Sequence, residues 1–210
     1  MKIRSEVNKH FQEFLLDQEQ QIYFLLGGYG SSKSYNAAVK LVLLALKEKR
    51  KILVVRQIRD NLKESCYADI QDIIYSFGLD KYFYFTTTPM KITCTVTGTE
   101  FIFRGLDNVK KIKSIKDIDT IWIEEADEID YKSFKELKSR LRSIKNRNIL
   151  ILTTNPNEFG VWTYKYLTEV LKSVGKDENN LYAERIMKIK NEVNLKKGNV
   201  FFENIYLHHS

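Results

Sequence analysis

The stretch IYFLLGGYGSSKSYNAAVKLVLLAL, residues 22–46, sets the architecture of this chain. It begins with a short apolar run at residues 22–26, passes through a turn rich in glycine and serine, and continues as a mostly apolar segment to Leu46. This order predicts a buried strand, a loop and a buried helix. We therefore expect the chain to open with a strand–loop–helix unit of an α/β domain.

Three further apolar runs predict strands that are covered on both faces of a sheet. They are residues 51–55 (KILVV), 120–123 and 149–153. Residues 83–103 instead alternate around Thr97-Gly98-Thr99, which predicts a β-hairpin inserted between the α/β units.

Helices are predicted between these strands. Residues 58–77 have helix-like apolar spacing, and Gly78 is expected to close that helix. A second apolar stripe has members at i, i+3, i+7 and i+10: Phe134, Leu137, Leu141 and Ile144. The predicted fold class is therefore α/β, with a mainly parallel central sheet and helices on both of its faces.

Composition favours one domain over residues 1–210. A chain of 210 residues with 43% hydrophobic content can bury one substantial core. The net charge of +7 suits a polyanionic partner but is also common in ordinary soluble proteins. The N-terminus does not resemble a secretory signal, and no apolar stretch approaches the roughly 20 residues that span a bilayer. We expect a soluble protein without membrane contact, with Cys66 and Cys94 as reduced thiols in a reducing cytoplasm.

The loop after the first strand matches the phosphate-binding pattern G-x-x-x-x-G-K-[ST] at every position except Ser32, which replaces the last glycine. In such loops the backbone N–H groups and the following helix dipole hold phosphate, the lysine reaches the β and γ phosphates, and the final hydroxyl can bind Mg²⁺. The pattern predicts an ATP·Mg²⁺ site, and the simpler alternative is an ordinary strand-to-helix turn. The candidate nucleotide-binding residues are Gly27, Gly28, Gly30, Ser31, Ser32, Lys33, Ser34 and Tyr35.

Serine at position 32 is expected to be tolerated if its φ is negative. A left-handed conformation there would cost roughly 1–2 kcal/mol.

Residues 124–128, EEADE, follow the third buried strand and deliver carboxylates to the edge of the sheet. We assign Glu124 to Mg²⁺, together with Ser34, and Glu125 to the general base that activates water. The alternative is a solvated acidic helix start, where negative charge is favourable. Asn155, in the turn after the fourth strand, is a candidate sensor of the γ-phosphate, although Asn-Pro is also a common turn sequence.

Five motifs in order resemble the ATPase domain of phage terminase large subunits: GGYGSSKSY, VVRQIRDNLKES, KKIKS, IWIEEADEI and ILTTNPN. The resemblance implies an ASCE-type P-loop fold and an ATPase that drives double-stranded DNA into a procapsid from the host cell cytoplasm. It also implies partners, namely a portal protein, a small terminase subunit and further copies of the chain in a ring, although an isolated domain could be monomeric.

Two departures from the family pattern matter. Tyr29 stands where family members often have a loop arginine, so an arginine finger within the loop is lacking. The family's C-terminal nuclease domain is not seen in this sequence, so we expect an isolated ATPase domain that does not cut DNA.

Phosphoryl transfer commonly needs an arginine that stabilises charge on the γ-phosphate. The candidates are Arg56, Arg104, Arg140 and Arg142, of which Arg56 is preferred as a contact in cis. Two basic clusters are candidates for DNA contact, or are solvated charged faces. They are Lys110, Lys111, Lys113 and Lys116, and on the predicted helix Lys132, Lys135, Lys138, Arg140 and Arg142.

Two other functions remain open from the sequence. One is another nucleic-acid-dependent ATPase, such as a helicase-like enzyme. The other is a nucleotide-binding assembly switch with little turnover, in which Ser32 and Tyr29 mark a degraded site.

Overall fold

The computed structural model describes residues 8–58, 62–106, 112, 114–155, 162–163, 166, 198–202 and 205–209. Nine strands within these ranges form one sheet. They are β1 (Ile22–Leu26), β2 (Lys51–Arg56), β3 (Phe83–Thr87), β4 (Met90–Cys94), β5 (Glu100–Gly105), β6 (Thr120–Ile123), β7 (Ile149–Thr154), β8 (Gly198–Phe202) and β9 (Ile205–His209). The helices are α1 (Lys9–Leu16), α2 (Lys33–Lys47), α3 (Ala68–Ser76) and α4 (Tyr131–Lys138).

The strand order is β3-β4-β5-β2-β6-β7-β1-β9-β8. Strands β5, β2, β6, β7, β1 and β9 pair in parallel, whereas β3, β4 and β8 pair antiparallel. Strand β7 lies between β1 and β6. The phosphate loop (residues 27–34), which follows β1, and the acidic turn (residues 124–128), which follows β6, therefore flank the end of β7. The predicted fold class, a mainly parallel α/β sheet, is confirmed.

The sheet is covered on both faces by apolar clusters. One cluster contains Tyr23 and Leu25 of β1 with residues of α1, α2 and α3. The other contains Phe24 of the same strand with Phe134 and Leu137 of α4. Successive side chains of a strand point to opposite faces, so β1 contributes to both clusters. Every residue of β6 and β7 is buried, as expected for central strands.

The predicted β-hairpin is confirmed, since β4 and β5 pair antiparallel on either side of the turn at Thr97-Gly98-Thr99. Gly98 has a φ of 78° in the β4–β5 connection, where a left-handed residue is needed. Strand β5 pairs in parallel with β2, and β3 adds a further antiparallel strand outside β4. The hairpin therefore extends the central sheet.

Both predicted helices were too long. In the first, Ile58 lies in a bend and is 53% exposed, Leu62 is helical, and a π-helical turn at Lys63–Tyr67 leads into α3. The second ends at Lys138, and Ile144 is 98% exposed. Beyond that helix, Asn148 Oδ1 accepts a hydrogen bond from the backbone N–H of Ser143, and such side-chain bonds compete with helical ones. Gly78, with a φ of 64°, does end its helix as predicted.

The described helices contain none that is long and apolar enough to cross a membrane. Cys66 and Cys94 are buried and are not joined in a disulfide.

Candidate nucleotide-binding site

The phosphate loop connects β1 to α2 at the carboxyl edge of the sheet. The backbone N–H of Gly27 donates to the carbonyl of Thr154 on β7 and holds the start of the loop. Gly30 has a φ of 74°, which favours glycine. A Cβ built at Gly28 or at Gly30 would meet no atom within 4 Å, so the loop borders open space at these two positions.

Ser32 adopts the left-handed conformation, with a φ of 62°. The sequence alone did not decide the sign of the Ser32 φ. The structure shows the positive value, a left-handed backbone that costs a non-glycine residue roughly 1–2 kcal/mol. The Ser32 side chain makes no capping hydrogen bond to α2. Its carbonyl instead accepts from the backbone N–H of Asn36 at 3.0 Å and from Asn36 Nδ2 at 2.8 Å. The strained residue is therefore held in place by the first turn of the helix.

Lys33 is buried and points back across the loop. Its Nζ donates to Gly28 O at 3.1 Å and to Asn155 Oδ1 at 2.8 Å. Burial lowers the pKa of Lys33, and the charges of Glu124, Asp127 and Glu125 oppose that shift. The ammonium group is thus held by neutral acceptors with acidic groups nearby.

Glu124 lies at the end of β6 and is 8% exposed. Its Oε1 accepts a hydrogen bond from Ser34 Oγ at 2.6 Å, and its Oε2 is hydrogen-bonded to Thr153 Oγ1. Burial raises the pKa of Glu124, whereas the hydrogen bonds from Ser34 and Thr153 act in the opposite direction. The two residues assigned to Mg²⁺ from the sequence, Ser34 and Glu124, are therefore in direct contact.

Glu125 has a left-handed backbone, with a φ of 50°, and forms an ion pair with Arg56 at the end of β2. The two side chains are 22% and 16% exposed. Burial alone would lower the pKa of Arg56, but the hydrogen bond and the charge of Glu125 outweigh burial and raise it. The candidate base and the preferred arginine are thus partners of each other.

The other candidate arginines have different contacts. Arg104 Nη1 donates to Phe103 O at 2.7 Å, and Arg142 Nε donates to Ser139 O at 2.5 Å. Arg140 forms an ion pair with Glu136 of α4. Arg140 and Arg142, which were expected on this helix, both lie beyond its last residue, Lys138.

The remaining candidates lie around the loop and on the surface. Tyr29, within the loop, is 83% exposed, and Tyr35, in the first turn of α2, is 48% exposed. Ser31 Oγ is buried and has no hydrogen-bond partner among the described residues. Of the first basic cluster, Lys116 is exposed, while Lys110, Lys111 and Lys113 lie outside the described residues. Lys132, Lys135 and Lys138 are exposed on α4, as predicted.

Sequence reasoning missed several residues that arrange the site. Thr154 Oγ1 donates to Asp127 Oδ1 at 2.8 Å, and the backbone N–H of Asn155 donates to the same oxygen at 3.4 Å. Trp122 Nε1 donates to Thr153 Oγ1 at 3.0 Å. The sequence feature that could have indicated these contacts is the pair of threonines at the end of an apolar strand. Buried hydroxyls need hydrogen-bond partners, so such a pair predicts polar neighbours.

The donor set fits Mg²⁺ better than a transition metal. The described residues contain no group of three or more His, Cys, Asp or Glu side chains that could enclose a metal ion. Mg²⁺ keeps several waters and commonly takes only one or two protein oxygens besides phosphate. The Ser34 hydroxyl and the Glu124 carboxylate, 2.6 Å apart, are oxygen groups of the kind that Mg²⁺ takes as ligands.

Comparison with known proteins gives a consistent assignment. The profile of the phage terminase large subunit family matches residues 19–206. The PBSX phage terminase large subunit of Bacillus subtilis strain 168 is 41% identical over 185 residues, which are 87% of this chain and 42% of that protein. This chain therefore spans less than half the length of that relative.

Solved structures agree on the fold. A variant of the large terminase ATPase domain of Thermus phage P74-26 superposes with a TM-score of 0.68 at 12% identity, over 98% of this chain and 81% of that one. The large terminase of a thermophilic bacteriophage, in complex with ADP, gives 0.60 at 12% identity over 97% and 45%. Such domains have the ASCE P-loop fold, so that prediction is confirmed. From the family profile and the sequence identity, this chain belongs to the phage terminase large subunit family.

Proposed function

We propose that this chain is an ATP-hydrolysing motor domain that powers translocation of double-stranded viral DNA into a procapsid. The observation that carries the proposal is the meeting of Lys33, Ser34, Glu124, Glu125 and Asn155 at one edge of the sheet, in a member of the terminase large subunit family. The ADP complex of a protein with the same fold supports a nucleotide as the ligand.

The phosphates of ATP are proposed to lie in the loop beside Gly28 and Gly30. Lys33 Nζ is held there by a carbonyl and an amide oxygen. Phosphate oxygens would be stronger acceptors, because their negative charge attracts the Lys33 ammonium more strongly than the neutral carbonyl and amide oxygens do. Ser34 and Glu124 would hold Mg²⁺, which when bound neutralises charge on the β and γ phosphate oxygens.

Glu125 is proposed as the general base and Arg56 as a contact to the γ-phosphate. In their ion pair, Arg56 donates to one oxygen of Glu125 and therefore competes with water for that oxygen. A γ-phosphate offers Arg56 an alternative anionic partner, and a shift of Arg56 towards it would free Glu125. Asn155 contacts Lys33, so it would detect the change in charge on hydrolysis.

The exposed lysines of α4 are proposed to contact DNA phosphates, since contacts of that kind are independent of sequence. We further propose that the domain, spanning residues 1–210, acts in a ring on a portal protein with a small terminase subunit, in the host cell cytoplasm. DNA cleavage is not expected from these residues. A ring would allow a neighbouring copy to supply a second arginine.

The test is steady-state ATP hydrolysis over a range of protein concentrations, with and without double-stranded DNA. Lys33→Ala is the matched control, because it removes the phosphate-binding ammonium and leaves the loop glycines in place. Activity that requires Lys33 supports the ATPase, and a rise steeper than linear with concentration supports an arginine in trans. Stimulation by double-stranded DNA supports a packaging motor.

Two outcomes would favour the other functions. Preference for single-stranded DNA, or strand separation, would favour a helicase-like enzyme. Binding of ATP with Mg²⁺ but without turnover, in the longer protein as well as in this chain, would favour an assembly switch.

A further inference from the structure

Thr153 contacts the acidic turn in two ways. Its side chain is fully buried at the end of β7, where Oγ1 is hydrogen-bonded to Glu124 Oε2. Its backbone carbonyl accepts from the N–H of Ala126 at 2.9 Å. This placement follows from the strand order, because β7 pairs with β6 in a register that puts Leu152 opposite Ile123. Thr153 and Glu124 are then the next residues of the two neighbouring strands.

Trp122 restricts the directions in which the Thr153 hydroxyl can donate. An indole N–H can only donate, so Thr153 Oγ1 accepts from Trp122 Nε1 at 3.0 Å. The hydroxyl hydrogen of Thr153 then points away from the indole. Its acceptors are Glu124 Oε2 and, at 3.3 Å, the carbonyl oxygen of Ile123. A hydrogen-bond chain thus runs from Trp122 through Thr153 to Glu124.

The Glu124 side chain has one more rotatable bond than an aspartate, so its carboxylate needs contacts that hold it in one orientation. A hydroxyl donates to each of its oxygens, from Ser34 to Oε1 and from Thr153 to Oε2. The Ser34 hydroxyl on Oε1 is itself a proposed metal ligand, so its contact with Glu124 would be shared with the metal. The Thr153 hydroxyl is not a proposed metal ligand. It is therefore the contact that can keep the carboxylate in one orientation in both the empty and the loaded site.

We propose that Thr153 is a positioning residue for Mg²⁺, which acts by holding Glu124 Oε2 with a hydroxyl oriented by Trp122. This inference rests on the proposed function, in which Ser34 and Glu124 bind Mg²⁺ beside a nucleotide. Residues behind the direct metal ligands typically change metal affinity by about 10–100-fold when they are replaced.

The experiment compares Thr153→Val, which keeps the shape and removes the hydroxyl, with Thr153→Ser, which keeps the hydroxyl. Binding of a fluorescent ADP analogue is measured during a Mg²⁺ titration and again in excess EDTA. We expect Thr153→Val to need roughly 10–100-fold more Mg²⁺ for half-maximal binding. Thr153→Ser should lie close to the parent protein, and binding in EDTA should be equal in all three. An unchanged Mg²⁺ requirement in Thr153→Val would overturn the inference.

Failure of the proposed function gives a different result. If the parent protein binds no nucleotide, or binds it without regard to Mg²⁺, the proposed site itself is wrong. If the parent protein requires Mg²⁺ and Thr153→Val has the same requirement, only the role of Thr153 is wrong.

Thr153→Val leaves the Trp122 N–H and a Glu124 oxygen without partners, which could prevent folding. The double variant Trp122→Phe/Thr153→Val removes the orphaned N–H and repeats the test. A measurement on the parent protein is independent of both variants. The NMR signal of the Trp122 indole N–H is identified as the one that remains in Trp162→Phe, since the chain has two tryptophans. The chemical shift of this signal should change more on addition of Mg²⁺ with ADP than on addition of ADP alone. Equal shifts under the two conditions would contradict a link between Trp122 and the metal site.

Discussion

Two residues of the candidate site, Ser32 and Glu125, have left-handed backbone conformations. Non-glycine residues pay for this conformation, and such strain persists only where the surrounding contacts impose it. Ser32 precedes the lysine of the phosphate loop, and Glu125 is the proposed base. The strain therefore lies where the chain leaves buried structure to form the proposed nucleotide site.

Ser32→Gly should stabilise the protein by up to about 1 kcal/mol, because glycine adopts a φ of 62° without steric cost. Thermal unfolding measures the change. The control is Tyr29→Gly, since Tyr29 is 83% exposed and is not among the residues with positive φ. There glycine only adds freedom to the unfolded chain, so no gain is expected. A lower melting temperature for Ser32→Gly would show that its serine hydroxyl outweighs the strain.

Glu125→Gln should retain nucleotide binding and lose turnover by about 10²–10⁴-fold, the usual contribution of a general base. The amide keeps the size of the side chain but cannot take a proton from water. Binding of a fluorescent nucleotide and steady-state hydrolysis separate the two effects. Hydrolysis at the parental rate would remove Glu125 from the proposed role.

Helix α4 follows the acidic turn directly, and its start is fixed by Asp130. Asp130 Oδ1 accepts from the backbone N–H of Ser133 at 2.8 Å, and Oδ2 accepts from Ser133 Oγ at 2.8 Å. These hydrogen bonds lower the pKa of Asp130. The negative charge of the Asp130 carboxylate is also stabilised by the positive end of the helix dipole.

Asp130→Ala should lower the free energy of unfolding by about 1 kcal/mol, the usual effect of losing an N-cap. Asp130→Ser, which can still accept from the helix N–H groups, should recover most of the loss. Urea denaturation of the three proteins at neutral pH provides the comparison. Equal stability of the alanine and serine variants would show that capping is not the reason.

The buried side chain of Lys40 joins α1 to α2. Its Nζ donates to Phe14 O at 2.5 Å and to Asp17 O at 2.6 Å, at the end of α1, and lies 4.5 Å from the ring centre of Tyr23. Burial lowers the pKa of Lys40 to about 7, a shift that Asp17 partly opposes. In the unfolded chain the same group titrates near 10.5.

The unfolded state therefore binds more protons than the folded state between about pH 7 and about pH 10. The contribution of Lys40 to the free energy of unfolding should rise with pH across this interval, by up to about 1.4 kcal/mol per pH unit, and be constant below it. Lys40→Met should lose that rise. The free energy of unfolding of both proteins is measured by chemical denaturation at several pH values. Titratable groups present in both proteins, including the Cys66 thiol, contribute equally, so the difference between the two free energies reports Lys40 alone. Parallel curves for the two proteins would contradict the shifted pKa.

The edge of the sheet opposite the site is joined by a buried polar network centred on Asp119, which is 3% exposed. Asp119 Oδ1 accepts from Arg50 Nη1 at 3.3 Å, and Oδ2 accepts from the N–H of Lys51 at 3.1 Å and from Asn146 Nδ2 at 2.8 Å. The network connects the start of β2, the start of β6 and the segment before β7. It thereby aligns strands whose other ends carry Arg56, Glu124 and Asn155.

Asp119→Ala should destabilise the whole domain by about 3–5 kcal/mol, because Arg50 would keep a buried charge without this partner. Glu48→Ala is the matched control. Glu48 pairs with the same arginine, but its side chain is 41% exposed, so a loss within about 1 kcal/mol is expected. Urea denaturation measures both. Equal losses would show that the energy does not depend on burial of the pair.

Local patterns in the sequence were sufficient for the order of elements and for the two polar motifs. The bounds of β1 and β6 agree with the predicted runs, and Lys33, Ser34, Glu124 and Asn155 meet at one edge as their places after parallel strands require. The family resemblance was correct because several motifs in a fixed order are more specific than any one of them. These features depend on residues that are close together in the chain.

Features that depend on distant neighbours could not be predicted in the same way. Strands β9 and β8 beside β1, the pairing of Arg56 with Glu125, and the hydrogen bond between Thr153 and Glu124 all follow from which strands are adjacent. Periodicity tells which faces of a strand are buried but not which strand lies next to it. The backbone of Ser32 and the early end of α4 likewise depend on competing hydrogen bonds in three dimensions. The sequence therefore specified the parts of the site, and the order of strands in the sheet specified how those parts contact one another.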